Sequence, residues 1–258
     1  MSPSQYEEWA AVAGRFGADL EQVRRDHLIS HVLASLSADV PAQDFVFIGG
    51  TALSRTHLTD ARLSEDIDLV ALAPRGEVAA KIESAARRGL ARTHGRPNWR
   101  PSLSATRGSQ PAVLEVDDAL GIQVQLLAGE GFLWPTEVRE IEQRYSDAPP
   151  ARLRTLTAAG FAAAKLATWM ERRAPRDLYD LWALGVRDLI NAEALDVFVA
   201  KGPTGKPPRA WVFDVAPDEG AWRRALGHQT RLRVTAAEAV ATVRAAWLGA
   251  TRERRPSR

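Results

Sequence analysis

Two short segments of the chain combine residue types that bind nucleotides and metal ions. Gly49-Gly50-Thr51 follows an apolar run, and Ser64-Glu65-Asp66-Ile67-Asp68 follows after a helical interval. On a strand, Asp66 and Asp68 would project from one face with Cα atoms about 6–7 Å apart, close enough for their carboxylates to share a divalent cation. The glycines let the backbone approach a phosphate, and a helix beginning near Thr51 offers N–H groups. We therefore expect a triphosphate cradle with a metal beneath it.

Apolar runs and helical spacing predict the elements that position these residues. Strands are predicted over 44–48, 66–72, 112–117 and 121–128. Helices are predicted after the potential cap Asp19, over 52–58, and over 76–88 with Gly89 as the C-terminal cap. The Pro/Ser/Gly-rich stretch 96–111 predicts a long loop, and 129–150 predicts a connector. Residues 1–150 are thus expected to form a small mixed sheet with helices.

The second part of the chain, residues 151–258, is predicted to be mainly helical. Thr157 can cap a helix over 158–173, Pro175 precedes another over 176–187, and a last helix spans about 236–248. Residues 251–258 carry four arginines and almost no apolar residues, which predicts disorder. The expected fold class is α/β (α+β), with an N-terminal mixed sheet and a helical C-terminal domain divided near residue 150.

The two glycine and aspartate segments carry a family resemblance. Phe47–Leu53 and Arg62–Leu69 resemble the polymerase β-like nucleotidyltransferase motif, and more narrowly the AbiEii/MenT toxin family. That family also has a helical motif of Lys, Arg and Arg-Asp-x-x-Asp-Leu, which matches Lys165, Arg172 or Arg173, and Arg176–Leu181. The resemblance covers about 47–72 and 157–184. It implies a polymerase β-like nucleotidyltransferase sheet in the N-terminal domain.

The second motif also makes physical sense on a helix. Lys165 and Arg172 are seven residues apart and share a face, so two cations could offset the charge of a leaving pyrophosphate. Asp177 and Asp180 are three apart and share a face, where they could orient Lys165 or bind metal or base. The alternative is a surface ion network near a helix end.

The resemblance implies nucleotidyl transfer from a nucleoside triphosphate. Asp66 and Asp68 would hold Mg²⁺ or Mn²⁺, and the metal would polarise phosphorus and stabilise charge. Acceptors in the family include the 3′ end of tRNA, whose blocking would stop translation and make the protein a toxin with a cognate antitoxin. The implied catalytic residues are Asp66, Asp68, Lys165, Asp177 and Asp180; the implied nucleotide-binding residues are Gly49, Gly50, Thr51, Ser64, Lys165 and Arg172.

A third carboxylate, which such enzymes often use as general base, is missing at its expected place. The strand expected to hold it carries Gln123 and Gln125 at the facing positions, and amides cannot act as bases. Glu115 or Asp117 on the preceding strand could substitute, or two carboxylates could suffice.

Charge differs sharply between the two halves. Residues 1–150 hold 15 Lys and Arg against 21 Asp and Glu, whereas residues 151–258 hold 19 against 11. A basic half is expected where an anionic polymer binds, although 30 of the 34 basic residues are Arg, as in a high-Arg proteome. The candidate RNA contacts are Arg223, Arg224, Arg231, Arg233 and the loop Lys201–Arg209.

The composition limits which residues can bind a metal and indicates where the protein is located. The chain has 258 residues and no cysteine, so metal must bind carboxylates, imidazoles or carbonyls. No run approaches the about 20 apolar residues of a membrane span, and Met1–Glu8 does not read as a secretory signal, so we expect a cytoplasmic protein. His27 and His31 have the i, i+4 spacing of zinc ligands, but no third ligand of matching spacing appears, so packing is favoured.

Ser64 lies two residues before Asp66 and could regulate the site. A phosphate there would compete with the triphosphate and metal, whereas an unmodified hydroxyl would only bind a phosphate oxygen or cap a turn.

Two other functions stay open for the chain. One is nucleotide transfer to a small molecule, such as an aminoglycoside, or to a protein side chain. The other is that of a catalytically inactive module that binds RNA or a partner.

Overall fold

The computed structural model describes residues 3–117 and 120–254. The chain divides into two compact units, Met1–Phe132 with Glu137–Thr155, and Leu133–Thr136 with Leu156–Arg258. Within the described ranges, every helix is too short or too polar to cross a membrane.

The first unit is built on a sheet flanked by helices. The strands are β1 (Phe45–Ile48), β2 (Asp66–Ala71), β3 (Asn98–Arg100), β4 (Ala112–Asp117), β5 (Leu120–Ala128), β6 (Thr136–Ile141) and β7 (Ala151–Leu156). The helices are α1 (Pro3–Phe16), α2 (Leu20–Asp39), α3 (Gly49–Thr56) and α4 (Arg75–Leu90). The strand order is β3-β4-β5-β2-β1-β7-β6, with β2 antiparallel to β1 and parallel to β5. The sheet is therefore mixed, and the predicted α/β class is confirmed.

Burial alternates along the strands that position the predicted site. In β1, Phe45 and Phe47 are fully buried, and in β2, Ile67 and Leu69 are fully buried between less buried aspartates. Helix α2 begins at the predicted cap, because the Asp19 side chain accepts a hydrogen bond of 2.8 Å from the Gln22 backbone N–H. Helix α2 packs against α4. The apolar faces of strands and helices together form the core of this unit.

The second unit is helical. It contains α5 (Ala158–Arg172), α6 (Pro175–Gly185), α7 (Ala192–Lys201), α8 (Glu219–Leu226) and α9 (Ala236–Glu253). Thr157 caps α5 as predicted, and Thr235 with Glu238 forms a capping box on α9. Three tryptophans, Trp169, Trp222 and Trp247, are among its largest fully buried side chains. Their burial anchors the packing of α5, α8 and α9.

Several predicted boundaries are wrong, each for a local reason. Helix α3 already begins at Gly49 rather than at residue 52, so both glycines lie in its first turn. Gly89 is not a cap, because α4 continues to Leu90; a Cβ on Gly89 would lie 1.8 Å from the Ser35 Oγ of α2. Gly89 is thus needed for close packing of the two helices.

Two segments predicted as irregular or helical are strands, and the predicted tail is partly helical. The connector 129–150 contains β6, and residues 151–156 form β7, which pairs with β1 through Phe47 and Thr155. The loop 96–111 contains the short strand β3 and a 3-10 turn, Leu103–Ala105. Thr251–Glu253 continues α9, and residues 255–258 of the predicted disordered tail lie outside the described ranges.

Candidate active site

The glycine bend is formed where β1 passes directly into α3. Gly49 has φ +80°, a conformation that side chains disfavour. A Cβ built on Gly49 would lie 2.1 Å from Oδ2 and 2.9 Å from Cγ of Asp68, whose Cα is in register with Ile48. Both the backbone angle and the space therefore require glycine here, and the Asp68 carboxylate lies directly against the bend.

The aspartate pair has the predicted alternation. Asp66 and Asp68 are half-buried, whereas Ile67 and Leu69 are fully buried. Residues i and i+2 of a strand point to the same face. The carboxylates of Asp66 and Asp68 therefore share one face of the sheet, next to the glycine bend.

The loop before β2 packs against the bend from the other side. A Cβ on Gly50 would lie 2.5 Å from Arg62 Nη2 and 3.2 Å from Ser64 Oγ. The Thr51 hydroxyl donates a hydrogen bond to the Asp66 backbone carbonyl. The first turn of α3 therefore lies directly against the start of β2 and is joined to it by a hydrogen bond.

The N-terminus of α3 has no side-chain cap. Its N-cap residue is Ile48, whose side chain cannot accept a hydrogen bond. The N–H groups of a first helical turn that lack a cap are suited to bind a phosphate. This feature fits the predicted roles of Gly49, Gly50 and Thr51 in nucleotide binding.

A cleft of about 480 Å³ opens beside Asp66 and carries an excess of negative charge. Four carboxylates and two guanidinium groups line it: Glu65, Asp66, Glu115, Asp117, Arg25 and Arg100. Sequence reasoning missed Glu65, Arg25 and Arg100. Glu65 could have been found from its place beside Asp66, whereas the two arginines come from α2 and β3 through tertiary packing. Such a lining suits a divalent cation and a charged substrate.

The position opposite the aspartate pair holds amides, as predicted. Gln123 and Gln125 of β5 are in register with Asp66 and Asp68. The Gln125 side chain donates to the Ser109 backbone carbonyl. Glu115 of β4 forms an ion pair with Arg100, whose Nε lies 3.1 Å from Glu115 Oε2. Neither glutamine can serve as a general base.

The residues present fit a hard divalent cation. Asp66 and Asp68 supply oxygen donors on one face, where a glycine leaves space for the Asp68 carboxylate. Oxygen donors of this kind suit Mg²⁺ or Mn²⁺. The fit rests on the donor chemistry and on the space that the absent Cβ of Gly49 leaves.

In the second unit, the Lys165 motif forms a compact ion network. Lys165 Nζ lies 3.1 Å from Asp177 Oδ1 and 2.7 Å from Asp180 Oδ2. Arg172 donates to both oxygens of Asp177, at 2.7 and 3.0 Å. The side chains of Lys165, Asp177 and Asp180 are at most 10% exposed, whereas that of Arg172 is 61% exposed. The network is therefore anchored inside the unit and reaches the surface through Arg172.

Two cations set the protonation of Asp177. Burial alone would raise its pKa, but Lys165 and then Arg172 outweigh that effect and lower the pKa below its ordinary value of 3.8. Arg173, the other candidate for the motif, instead ends α5 with φ 52° and donates to the Val212 carbonyl. The arginine of the motif that joins the network is Arg172.

Of the sequence-predicted site residues, the structure brings two groups together. Gly49, Gly50, Thr51, Ser64, Asp66 and Asp68 form one group in the first unit. Lys165, Arg172, Asp177 and Asp180 form the other in the second unit.

Comparisons with known proteins bear on both groups. The family described as "Nucleotidyl transferase AbiEii toxin, Type IV TA system" matches residues 31–246, which include every residue of the two groups. A similar solved structure is MenT4, a nucleotidyltransferase toxin from Mycobacterium tuberculosis H37Rv, with a TM-score of 0.68 and 24% identity over 94% of this chain and 89% of that chain. This likeness shows the fold. A comparison with curated proteins gives no match.

Proposed function

Because this chain belongs to the AbiEii family of nucleotidyltransferase toxins, we propose that it transfers a nucleoside monophosphate from a nucleoside triphosphate to the 3′ end of tRNA. The enzyme class and the toxin–antitoxin setting follow from the family, which also implies an antitoxin partner. The acceptor and the resulting block of translation in the cytoplasm are the proposed part. The observation that carries the proposal is the pair Asp66 and Asp68 on one face beside the Gly49 bend.

The proposed reaction joins the terminal 3′ oxygen of the RNA to the α-phosphorus and releases pyrophosphate. When bound, Mg²⁺ or Mn²⁺ would neutralise phosphate charge and polarise the α-phosphorus. Asp66 and Asp68 hold that cation, and the backbone N–H groups of Gly49, Gly50 and Thr51 bind phosphate oxygens. The hydroxyl of Ser64 binds a phosphate oxygen at the same bend.

The second motif has a complementary part in the proposal. Lys165 and Arg172 offset the charge that develops on pyrophosphate. Asp177 and Asp180 hold the Lys165 ammonium in a fixed position, since each lies within 3.1 Å of its Nζ. We divide the chain functionally into a nucleotidyltransferase domain at 1–150 and a domain at 151–258 that is helical after strand β7 and supplies this motif and the RNA-binding surface.

Exposed basic residues support an RNA acceptor over a small molecule. The following cations of the second unit are all exposed: Lys201, Lys206, Arg209, Arg223, Arg224, Arg231 and Arg233. Backbone phosphates contribute most of the affinity of RNA for a basic surface, and that affinity falls with salt. A small-molecule acceptor would need no such surface.

The proton of the attacking hydroxyl needs an acceptor. Glu115 and Asp117 line the same cleft as Asp66 and are the carboxylates we propose for this role, with direct transfer to solvent as the alternative. Glu115→Gln and Asp117→Asn would separate these cases. A loss of activity that is restored at higher pH identifies the base, because hydroxide then removes the proton.

The test incubates the purified full-length chain with total RNA and each α-labelled triphosphate in turn. We expect one or more triphosphates to label RNA of tRNA size, and Asp66→Asn to abolish the labelling. Periodate-oxidised tRNA, which lacks a free terminal hydroxyl, should accept no label. Labelling of an aminoglycoside or of protein instead would contradict the proposal, and so would RNA binding without any transfer.

Ser64 is the proposed regulatory position. Ser64 is 7% exposed, and its backbone carbonyl accepts a hydrogen bond of 3.2 Å from Gln22 Nε2 of α2. A phosphate on this hydroxyl would bring about −1.5 to −2 charges beside the bend and compete with the triphosphate. We expect Ser64→Glu to lose transfer and Ser64→Ala to keep most of it. Full activity of Ser64→Glu would reject the regulatory role.

A further inference from the structure

Three histidines and one aspartate of the first unit converge although they are far apart in the sequence. His27 and His31 lie one turn apart on α2, His94 follows α4, and Asp147 precedes β7. The side chains of His27 and His31 are 5% and 3% exposed, and that of Asp147 is 41% exposed. None of the four has a role in the proposed transfer.

The distances within this cluster match those of a metal site. His27 Nε2 lies 3.0 and 3.1 Å from the two Asp147 oxygens, and His31 Nε2 lies 3.5 Å from Asp147 Oδ1. One ligand atom from each of these three residues falls within 4.8 Å of the others. Two ligands bound tetrahedrally to zinc at about 2.0–2.1 Å are about 3.3 Å apart. The separations of both histidine nitrogens from Asp147 are close to this value, and the whole set lies within 4.8 Å.

One nitrogen in the cluster is left unsatisfied. His31 Nε2 is buried and makes no hydrogen bond. A buried polar atom without a partner is unfavourable, and the large majority of such atoms in proteins find one. A cation between His31, His27 and Asp147 would satisfy this nitrogen.

Two of the imidazoles, those of His31 and His94, have pKa values below the ordinary value of 6.5. Burial and the neighbouring His27 lower the pKa of His31. Burial, His27 and His31 lower the pKa of His94 to about 4.

We propose that His27, His31 and Asp147 bind one zinc-like transition-metal ion. His94 is a positioning residue, because its Nε2 lies 3.2 Å from His27 Nδ1 and can accept a hydrogen bond from the Nδ1–H group. That hydrogen bond leaves the Nε2 lone pair of His27 directed to the metal. Nitrogen donors select zinc over Mg²⁺. The exposed side of Asp147 leaves room for water as a fourth ligand.

The ion would fasten α2 to the segment that precedes β7. The same helix donates from Gln22 to Ser64, and its Asp26 pairs at 2.8 Å with both Arg55 and Arg144. The role is structural, since a metal here would stabilise the helix that supports the start of β2. It does not depend on the proposed function.

The test titrates Co²⁺, then Zn²⁺, into the chelator-treated full-length chain. We expect one equivalent of Co²⁺ to give visible d–d bands that Zn²⁺ removes, and Zn²⁺ to raise the melting temperature. Asp147→Asn keeps the shape of an exposed side chain and should fold, which circular dichroism checks. It should weaken Zn²⁺ binding at least about 10-fold and lose the thermal shift.

A matched control locates the site. Asp66→Asn/Asp68→Asn should keep the Co²⁺ d–d bands and the Zn²⁺-dependent thermal shift, because it removes only the carboxylate pair proposed for the nucleotide cation and leaves the histidines in place. Absence of Co²⁺ bands in the wild type would overturn the proposal. Unchanged affinity in folded Asp147→Asn, or loss of binding in the double variant, would overturn it as well.

Discussion

The two units each contain a pair of nearby aspartates, and the surroundings of the two pairs differ. The first pair is Asp66 and Asp68, and the second is Asp177 and Asp180. Asp66 and Asp68 are half-buried, and Asp66 lines a cleft with three other carboxylates and two guanidinium groups. Asp177 and Asp180 are buried and face two cations, Lys165 and Arg172. The cleft beside Asp66 has more carboxylates than guanidinium groups in its lining, whereas the second pair is held by ion pairs with Lys165 and Arg172. Similar residue types can therefore serve binding in one place and positioning in the other.

The largest effect is expected from removing charge at the first pair. Asp66→Asn or Asp68→Asn should lower nucleotidyl transfer by about 10³-fold, because the amide no longer holds the cation. The main loss should appear in transfer rather than in stability, because both side chains are only half-buried. Rates with labelled triphosphate and urea unfolding measure the two effects. Asp39→Asn, which removes an exposed partner of Arg88, is the control and should change neither.

A substitution in the second pair should lower the stability of the fold, whereas one in the first pair mainly lowers transfer. Asp177→Asn leaves the buried Lys165 ammonium with one carboxylate fewer, and breaking such a pair costs about 3 kcal/mol. Asp214→Asn is the matched control in the same unit: its exposed pair with Arg244 at 3.1 Å should be worth less than about 1 kcal/mol. Urea unfolding at pH 7 compares them. Equal losses in both variants would contradict the contrast between buried and exposed pairs.

Much of the fold could be predicted because its signals are local. Asp19 and Thr157 mark helix starts by side chains that accept backbone hydrogen bonds three residues later. Strand β7 alternates buried Ala151 and Leu153 with less buried Arg152 and Arg154, which is a strand pattern that the prediction of a helical second half overlooked. Strand β6 is charged and only half-buried, so it carries little apolar signal.

The candidate site was predictable to the extent that it lies within one motif. Asp66, Asp68 and the glycine bend are close in sequence, and strand alternation settles their geometry. His27 and Asp147 are 120 positions apart, and the sequence offers no spacing rule that would join them. His27 and His31 are buried, as the expectation of packing requires, and Asp147, a carboxylate that the spacing could not indicate, lies beside them.

The glycine bend tests whether the first pair depends on its backbone surroundings. Gly49→Ala would force the Asp68 carboxylate away and should lower transfer by about 10²-fold, since displacing a reacting group by about 1 Å has that effect. Gly131→Ala is a close control, because Gly131 has φ +78° but nothing within 4 Å of its added Cβ. Both changes should cost about 1–2 kcal/mol of stability from the backbone angle alone.

Comparison of the two alanine variants separates strain from displacement. Equal transfer rates in Gly49→Ala and Gly131→Ala would show that Asp68 does not need its place against the bend. A rate loss confined to Gly49→Ala would support it. Unfolding in urea confirms that both variants carry a similar backbone penalty.

The smallest expected effect is the pH dependence of the stability that Asp177 contributes. The pKa of Asp177 is lowered in the folded chain, so its stabilising contribution is complete above its unfolded value of 3.8 and is lost as the pH falls towards the folded value. Asp177→Asn cannot lose a contribution that it lacks. The stability difference between the wild type and Asp177→Asn should therefore be constant between pH 6 and 5 and narrow below about pH 4. Urea unfolding at each pH measures it, and a difference that stays constant to pH 3 would mean that the charge of Asp177 does not stabilise the fold.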